Sequence, residues 1–136
     1  MKNSKSKILN PKQIPKIQTL NSKQTYYDLE ERTFLFAKKV NEYVSNLPKT
    51  VSNIENGKQL IRSAGSVGAN YIEANESLSK KDFGMRIKIS KKEAKESRYW
   101  LRLTEPLKEG IEQKERLITE ATELMKILGL ILEKSK

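Results

Sequence analysis

Lys81, Lys88, Lys91, Lys95, Arg98 and Arg102 follow one another at steps of seven, three, four, three and four residues, with Gly84 at the one uncharged position of the series. Steps of three and four put side chains on one face of an α-helix, so this is a continuous row of positive charge. At about 1.5 Å rise per residue it is about 31 Å long, comparable with several phosphates along a nucleic-acid backbone. Lysine meets phosphate as a point charge rather than a bidentate fork. Such a row holds RNA or DNA by charge and shape with little reading of sequence. A competing use is pairing with Glu109, Glu112, Glu115, Glu120 and Glu123 of the last segment, within one subunit or across a subunit boundary.

Other reactive residue types are sparse. Histidine and cysteine are absent, which removes the commonest general base, the commonest metal ligand and the thiolate nucleophile. The expectation is a protein that is not an enzyme and takes no cofactor or metal. Glu73 with Glu76 and Glu93 with Glu96 form two E-x-x-E pairs, but bundle di-iron sites use Glu-x-x-His, so these read as exposed helical charges. Tyr99 and Trp100 have the faces that stack on unpaired bases. Trp100 shares a flank with Ile89 and Leu103, which makes these three candidates for subunit contact instead. Arg62, Asn70 and Glu73 read as a polar network at a helix contact.

Charge is unevenly spread over the 136 residues and the formal net of +10. Residues 1–25 carry six lysines and no acid, residues 80–102 nine basic against three acidic residues, and residues 103–136 six basic against seven acidic. Lysine outnumbers arginine 21 to 6, a composition that also keeps a surface soluble. No apolar run approaches the ~20 residues that span a bilayer, and no apolar h-region follows the first lysines. The expectations are a cytoplasmic protein without a membrane partner.

The elements that must position the cation row follow from periodicity. Residues 1–24 contain Pro11 and Pro15 and no sustained period, the pattern of a mobile basic tail. From about Tyr26 to Leu47, Leu29, Thr33, Phe36, Val40 and Tyr43 recur at fours and threes, and Pro48 ends the run. Ser52-x-x-Glu55 has the form of a capping box for a helix over about 53–77, whereas Asn56-Gly57 favours a turn. In that second helix Leu60, Ala64, Val67, Tyr71 and Ala74 form the seam. Its segment Ser63 to Ala69 includes Gly65 and Gly68, each costing roughly 1 kcal/mol against alanine inside a helix. Ser63, Ala64, Gly65 and Gly68 therefore predict a close crossing with the small seam residues Ser90, Ala94 and Ser97 of the third helix, about 80–104, which Ser79-x-x-Asp82 caps. No strand precedes the glycines and no phosphate-loop pattern matches them. A last helix over about 112–133 turns Leu117, Ala121, Leu124 and Leu128 inward. Four amphipathic helices with short connections give an all-α, antiparallel up-down four-helix bundle over 25–136.

QLIRSAGSVGANYIEA (Gln59–Ala74), DFGMRIKIS (Asp82–Ser90) and EAKESRYWLRL (Glu93–Leu103) closely resemble the four-helix-bundle proteins encoded in intervening sequences of 23S ribosomal RNA genes, also called S23 ribosomal protein-like. The resemblance is strongest from Leu47 to Leu103 and looser from Asp28 to about Leu132. It implies an up-down bundle that assembles into a homopentameric ring and has no known enzymatic activity. More distantly, the chain is similar to the accessory variability protein of diversity-generating retroelements, a basic pentamer that binds a reverse transcriptase and nucleic acid. That similarity implies, as the alternative to direct nucleic-acid contact, a scaffold for a protein partner.

Overall fold

The computed structural model describes residues 29–136, of which 33–136 form one compact unit and 29–32 fall in another. The expected tail, residues 1–24, lies outside the described residues. Helix α1 is Leu29–Ser45, α2 is Val51–Asn75, α3 is Lys80–Leu103 and α4 is Ile111–Lys134, with a single 3-10 turn, Lys108–Gly110, leading into α4. Among the described residues there is no strand.

Contacts between successive helices fix their directions. Val44 of α1 meets Gly57 of α2, and Thr33 meets Gly68. Ser63 of α2 meets Ser97 of α3, and Asn70 meets Arg86. Lys91 of α3 meets Gly129 of α4, and Arg98 meets Thr122. In every pair a later residue on one helix faces an earlier one on the next, so each helix runs antiparallel to its neighbour. The predicted all-α bundle is the observed fold. Its core is the periodic seam: Phe36, Val40 and Tyr43, then Leu60, Val67 and Tyr71, then Ile87 and Leu101, then Leu117, Leu124 and Leu128 are all buried. Each large apolar side chain so buried contributes about 1.5–3 kcal/mol.

Two local expectations are corrected. The N-cap of α2 is Thr50, whose hydroxyl accepts from Asn53 N at 3.1 Å, and Ser52 is already inside the helix. Asn56-Gly57 does not turn. The helix runs through it because Gly57 has no side chain and Val44 fills that space, with its Cγ1 2.9 Å from where a Cβ would stand.

The two interhelical roles read into the small segment of α2 also separate. Serines and alanines meet α3. Ser90 donates to Val67 O at 2.7 Å across the interface, and Ala64 and Ala94 are fully buried. The hydroxyls of Ser63 and Ser97 are 2.9 Å apart; Ser97 also reaches Glu93 O at 2.9 Å and Ser63 reaches Leu60 O at 3.2 Å. Two hydroxyl protons serve three contacts, so the two shorter ones assign Ser97 as donor to its own helix and Ser63 as donor to Ser97. The glycines do not join this crossing. Gly68 makes room for Thr33 of α1, whose Oγ1 is 2.9 Å from its Cβ position, and Gly65 is exposed with nothing within 4 Å.

Candidate nucleic-acid interface

Helix α3 is stiffly held at both ends. Ser79, in extended conformation, accepts from Asp82 N at 3.0 Å, and Asp82 sits in the first turn, where a negative charge opposes the helix dipole. At the other end Lys114 from α4 donates to Thr104 O at 2.8 Å and to Arg102 O at 3.4 Å, a cation on the terminal carbonyls. Thr104 is fully buried, and its hydroxyl donates to Leu101 O at 2.7 Å. That proton being committed, the Tyr43 phenol 2.7 Å away is the donor to Thr104 Oγ1. Burial pushes the Tyr43 pKa up. Asn53 completes the clamp, donating to Pro48 O and Glu105 O and accepting from Glu105 N at 2.9–3.0 Å. Neither Asn53 nor Thr104 stood out in the sequence, since their partners are 52 and 61 residues away.

The row of cations divides in two. Arg98 is half-buried and donates to Thr122 Oγ1 at 3.2 Å, and half-buried Lys91 lies along Gly129, its amine 3.5 Å from the Cβ position there. Lys81, Lys88, Lys95 and Arg102 are exposed, and among the described residues none of the four is in an ion pair. They recur every seven residues, about 10.5 Å along the axis. Glu112 of the acidic last segment pairs with Arg116 on its own helix at 2.6 Å.

On the opposite flank of α3 the carboxylates face α2. Arg62 Nη2 is hydrogen-bonded to Glu96 Oε2, the same oxygen that takes the indole N–H of Trp100 at 2.9 Å. The Trp100 bond and then Arg62 hold the Glu96 carboxyl below its usual range against the effect of burial, and Glu96 in turn raises the Arg62 pKa. Glu93 is buried; its Oε1 lies 3.4 Å from Arg62 Nη1 without a hydrogen bond and is the one buried side-chain polar atom lacking one among the described residues. The E-x-x-E pair of α3 is thus gripped by an arginine. Among the described residues no group of three carboxylates is placed to hold a metal.

Trp100 is half-buried, its edge fixed by Glu96 and its ring 5.0 Å from Tyr99 in an edge-to-face pair. Tyr99 is the exposed member of the pair; elsewhere on the helix Ile89 is half-buried, and Leu103 and Met85 are exposed. Arg86 Nη1 donates to Asn70 Oδ1 at 3.0 Å, while Glu73 is exposed, so the polar set expected from Arg62, Asn70 and Glu73 consists of two separate α2–α3 pairings. No helix among the described residues is long and apolar enough to cross a membrane.

A family model described as 23S rRNA-intervening sequence protein matches residues 27–129. A solved structure from Bacteroides thetaiotaomicron VPI-5482, described as a protein with unknown function from the S23 ribosomal protein family, is 31% identical, with a TM-score of 0.64 over 76% of this chain and 94% of that one. No curated protein matches.

Proposed function

The chain belongs to the 23S rRNA-intervening sequence protein family, and from that premise we propose that it is a non-enzymatic bundle that holds RNA or DNA by the phosphate backbone along α3. The observation that carries this reading is the exposed series Lys81, Lys88, Lys95 and Arg102 on one capped helix, free of ion pairs among the described residues. The contacts that the row makes to α4, at Thr122 and Gly129, involve no acid. Each lysine or arginine that neutralises a phosphate releases condensed counterions, so affinity falls with salt. Filter binding of structured ribosomal RNA over a salt series tests this. Four phosphate contacts give a slope of log K on log salt of about −3 to −4; absent or salt-independent binding at low salt refutes it.

A second reading rests on apolar exposure. Met85, Tyr99 and Leu103 on α3, and Ile61 and Ile72 on α2, are 42–54% exposed. Together with Ile89 and Trp100, the α3 residues supply one side of a homo-oligomer contact, with the ring implied by the family resemblance as the assembly, or the docking face for a protein partner. A heterologous ring needs two different complementary patches on each subunit. Sedimentation of the intact chain decides between monomer and assembly.

A further inference from the structure

A cavity of about 290 Å³ opens at the clamped end of the bundle, lined by Tyr43, Asn46, Leu47, Pro106, Leu107, Glu109, Gly110 and Gln113. Its volume lies near the lower end of the range for small-molecule sites, sufficient for one planar ring system and too small for a whole nucleotide chain. The walls are fixed. Asn53 and Lys114 pin the segment after α3, and Gly110 lacks a Cβ that would stand 3.0 Å from Pro106.

The polar groups are mostly acceptors. Asn46 donates its Nδ2 to Glu42 O at 3.2 Å and so offers Oδ1. Glu109 presents a carboxylate, which only accepts, and Gln113 presents a carboxamide; among the described residues neither side chain has a hydrogen-bond or ionic partner. Leu47, Pro106 and Leu107 supply apolar surface. Charges of both signs flank the lining residues in the chain: Lys108 precedes Glu109 and Lys114 follows Gln113, while Glu105 precedes Pro106 and Glu112 precedes Gln113. A neutral, flat group that carries an amino donor fits these acceptors and apolar walls.

We propose that this cavity receives one unstacked adenine base of a strand whose phosphates lie along α3. The inference rests on the phosphate-binding reading above and adds a base to it. Carboxamides pair with the N6 amino and N7 of adenine, and carboxylates accept from exocyclic amino groups. Uracil has no exocyclic amino group, and its one base donor, N3–H, lies between two carbonyls that face the cavity's acceptors, so it is the poorer guest; single-stranded bases are the ones that can be splayed into such pockets.

The test uses the intact chain and separates the two claims. Adenosine, which has no phosphate, is titrated while amide signals are followed by NMR. The result expected is shifts at the Asn46 and Gln113 side-chain amides and the Leu107 and Gly110 backbone, absent with uridine and lost in Gln113→Leu and in Glu109→Leu. Oligo(A) then binds about tenfold more tightly than oligo(U) at equal salt, the scale of one well-made base contact. Gln113→Leu removes that ratio while leaving the salt slope unchanged. Oligonucleotides that bind with a salt slope but no base preference, together with adenosine that moves nothing, overturn the base pocket and leave the cation row standing. Adenosine shifts without oligonucleotide binding support the pocket and overturn the row. Shifts caused by arginine amide in preference to adenosine overturn the proposal in favour of a protein side chain as guest.

Discussion

Val44 Cγ1 stands 2.9 Å from the position that a Cβ on Gly57 would occupy, and Thr33 Oγ1 stands equally close to that of Gly68. Both intruding side chains are β-branched and stiff about χ1, so neither can swing away. Gly57→Ala and Gly68→Ala gain up to about 1 kcal/mol of helix propensity, but overpacking costs about 1–3 kcal/mol. Both variants melt below wild type. Gly65→Ala meets nothing and melts above it, by about 0.4–1 kcal/mol. Denaturant midpoints of the three variants, compared at equal protein concentration, check the contrast.

Lys88→Glu, Lys95→Glu and Arg102→Glu in one variant reverse three exposed charges that touch no core residue. Helical content by circular dichroism stays at the wild-type value. RNA affinity falls, and the salt slope flattens by about 2–3, since about 0.7–0.9 is lost per phosphate contact. The matching change at Arg98 alone also removes the bond to Thr122 and lowers the melting temperature, which separates the two halves of the row.

The Glu96 carboxyl has a lowered pKa in the folded chain, through the Trp100 indole and then Arg62. A depressed carboxylate stabilises the fold above its unfolded pKa, near 4.3, and this contribution is lost as pH falls through the folded value. Acid titration followed by fluorescence of Trp100, the only tryptophan, shows an emission change below pH about 4. In Glu96→Gln that transition disappears. Because Arg62 is half exposed, the ionic part of the loss stays below about 1 kcal/mol.

Removing the phenol in Tyr43→Phe leaves the second lone pair of a fully buried Thr104 hydroxyl without a donor. The cost is about 0.5–1.5 kcal/mol, read as a shifted urea midpoint at pH 7. Tyr43 also makes the fold sensitive to alkali. Its raised pKa means that its neutral form is preferred when folded, so its contribution is intact below the unfolded value near 10 and is lost as pH rises through the folded one. Tyr43→Phe therefore loses less stability than wild type between pH 9 and a pH above about 11.

The three-and-four periodicity carried most of the fold, because a bundle core is one apolar stripe per helix and every stripe residue from Phe36 to Leu128 has neighbours fixed by the same spacing. Polar placements were less legible. Ser79 was readable as a cap because its partner Asp82 is three residues on, but Thr50 and Ser52 offer the same chemistry, and the choice between them is made beside a clamp whose other half is Glu105. Gly57 read as a turn because its use, the accommodation of Val44, belongs to another helix. In the cation row, spacing gave the face but not the drift around it that lays Lys91 and Arg98 on α4 and leaves the other four in solvent. Arg62 is legible as a polar residue of the α2–α3 contact, whereas E-x-x-E spacing alone does not show that its partners are Glu93 and Glu96.

The two ends of the bundle are tied unequally. Asn53, Tyr43 and Lys114 cross-link the segments around Pro48 and Glu105, whereas the α2–α3 connection at the other end leaves Leu78 98% exposed between exposed Glu76 and Ser79, with Ser77 and Ser79 bonded only to near neighbours in the chain. Local opening draws on the segments with the fewest buried contacts. Amide protons around residues 76–79 therefore exchange with solvent first, and those next to Asn53 and Thr104 exchange only with global unfolding, so that the helical hairpin of α2 and α3 frays from its tip while its base stays shut.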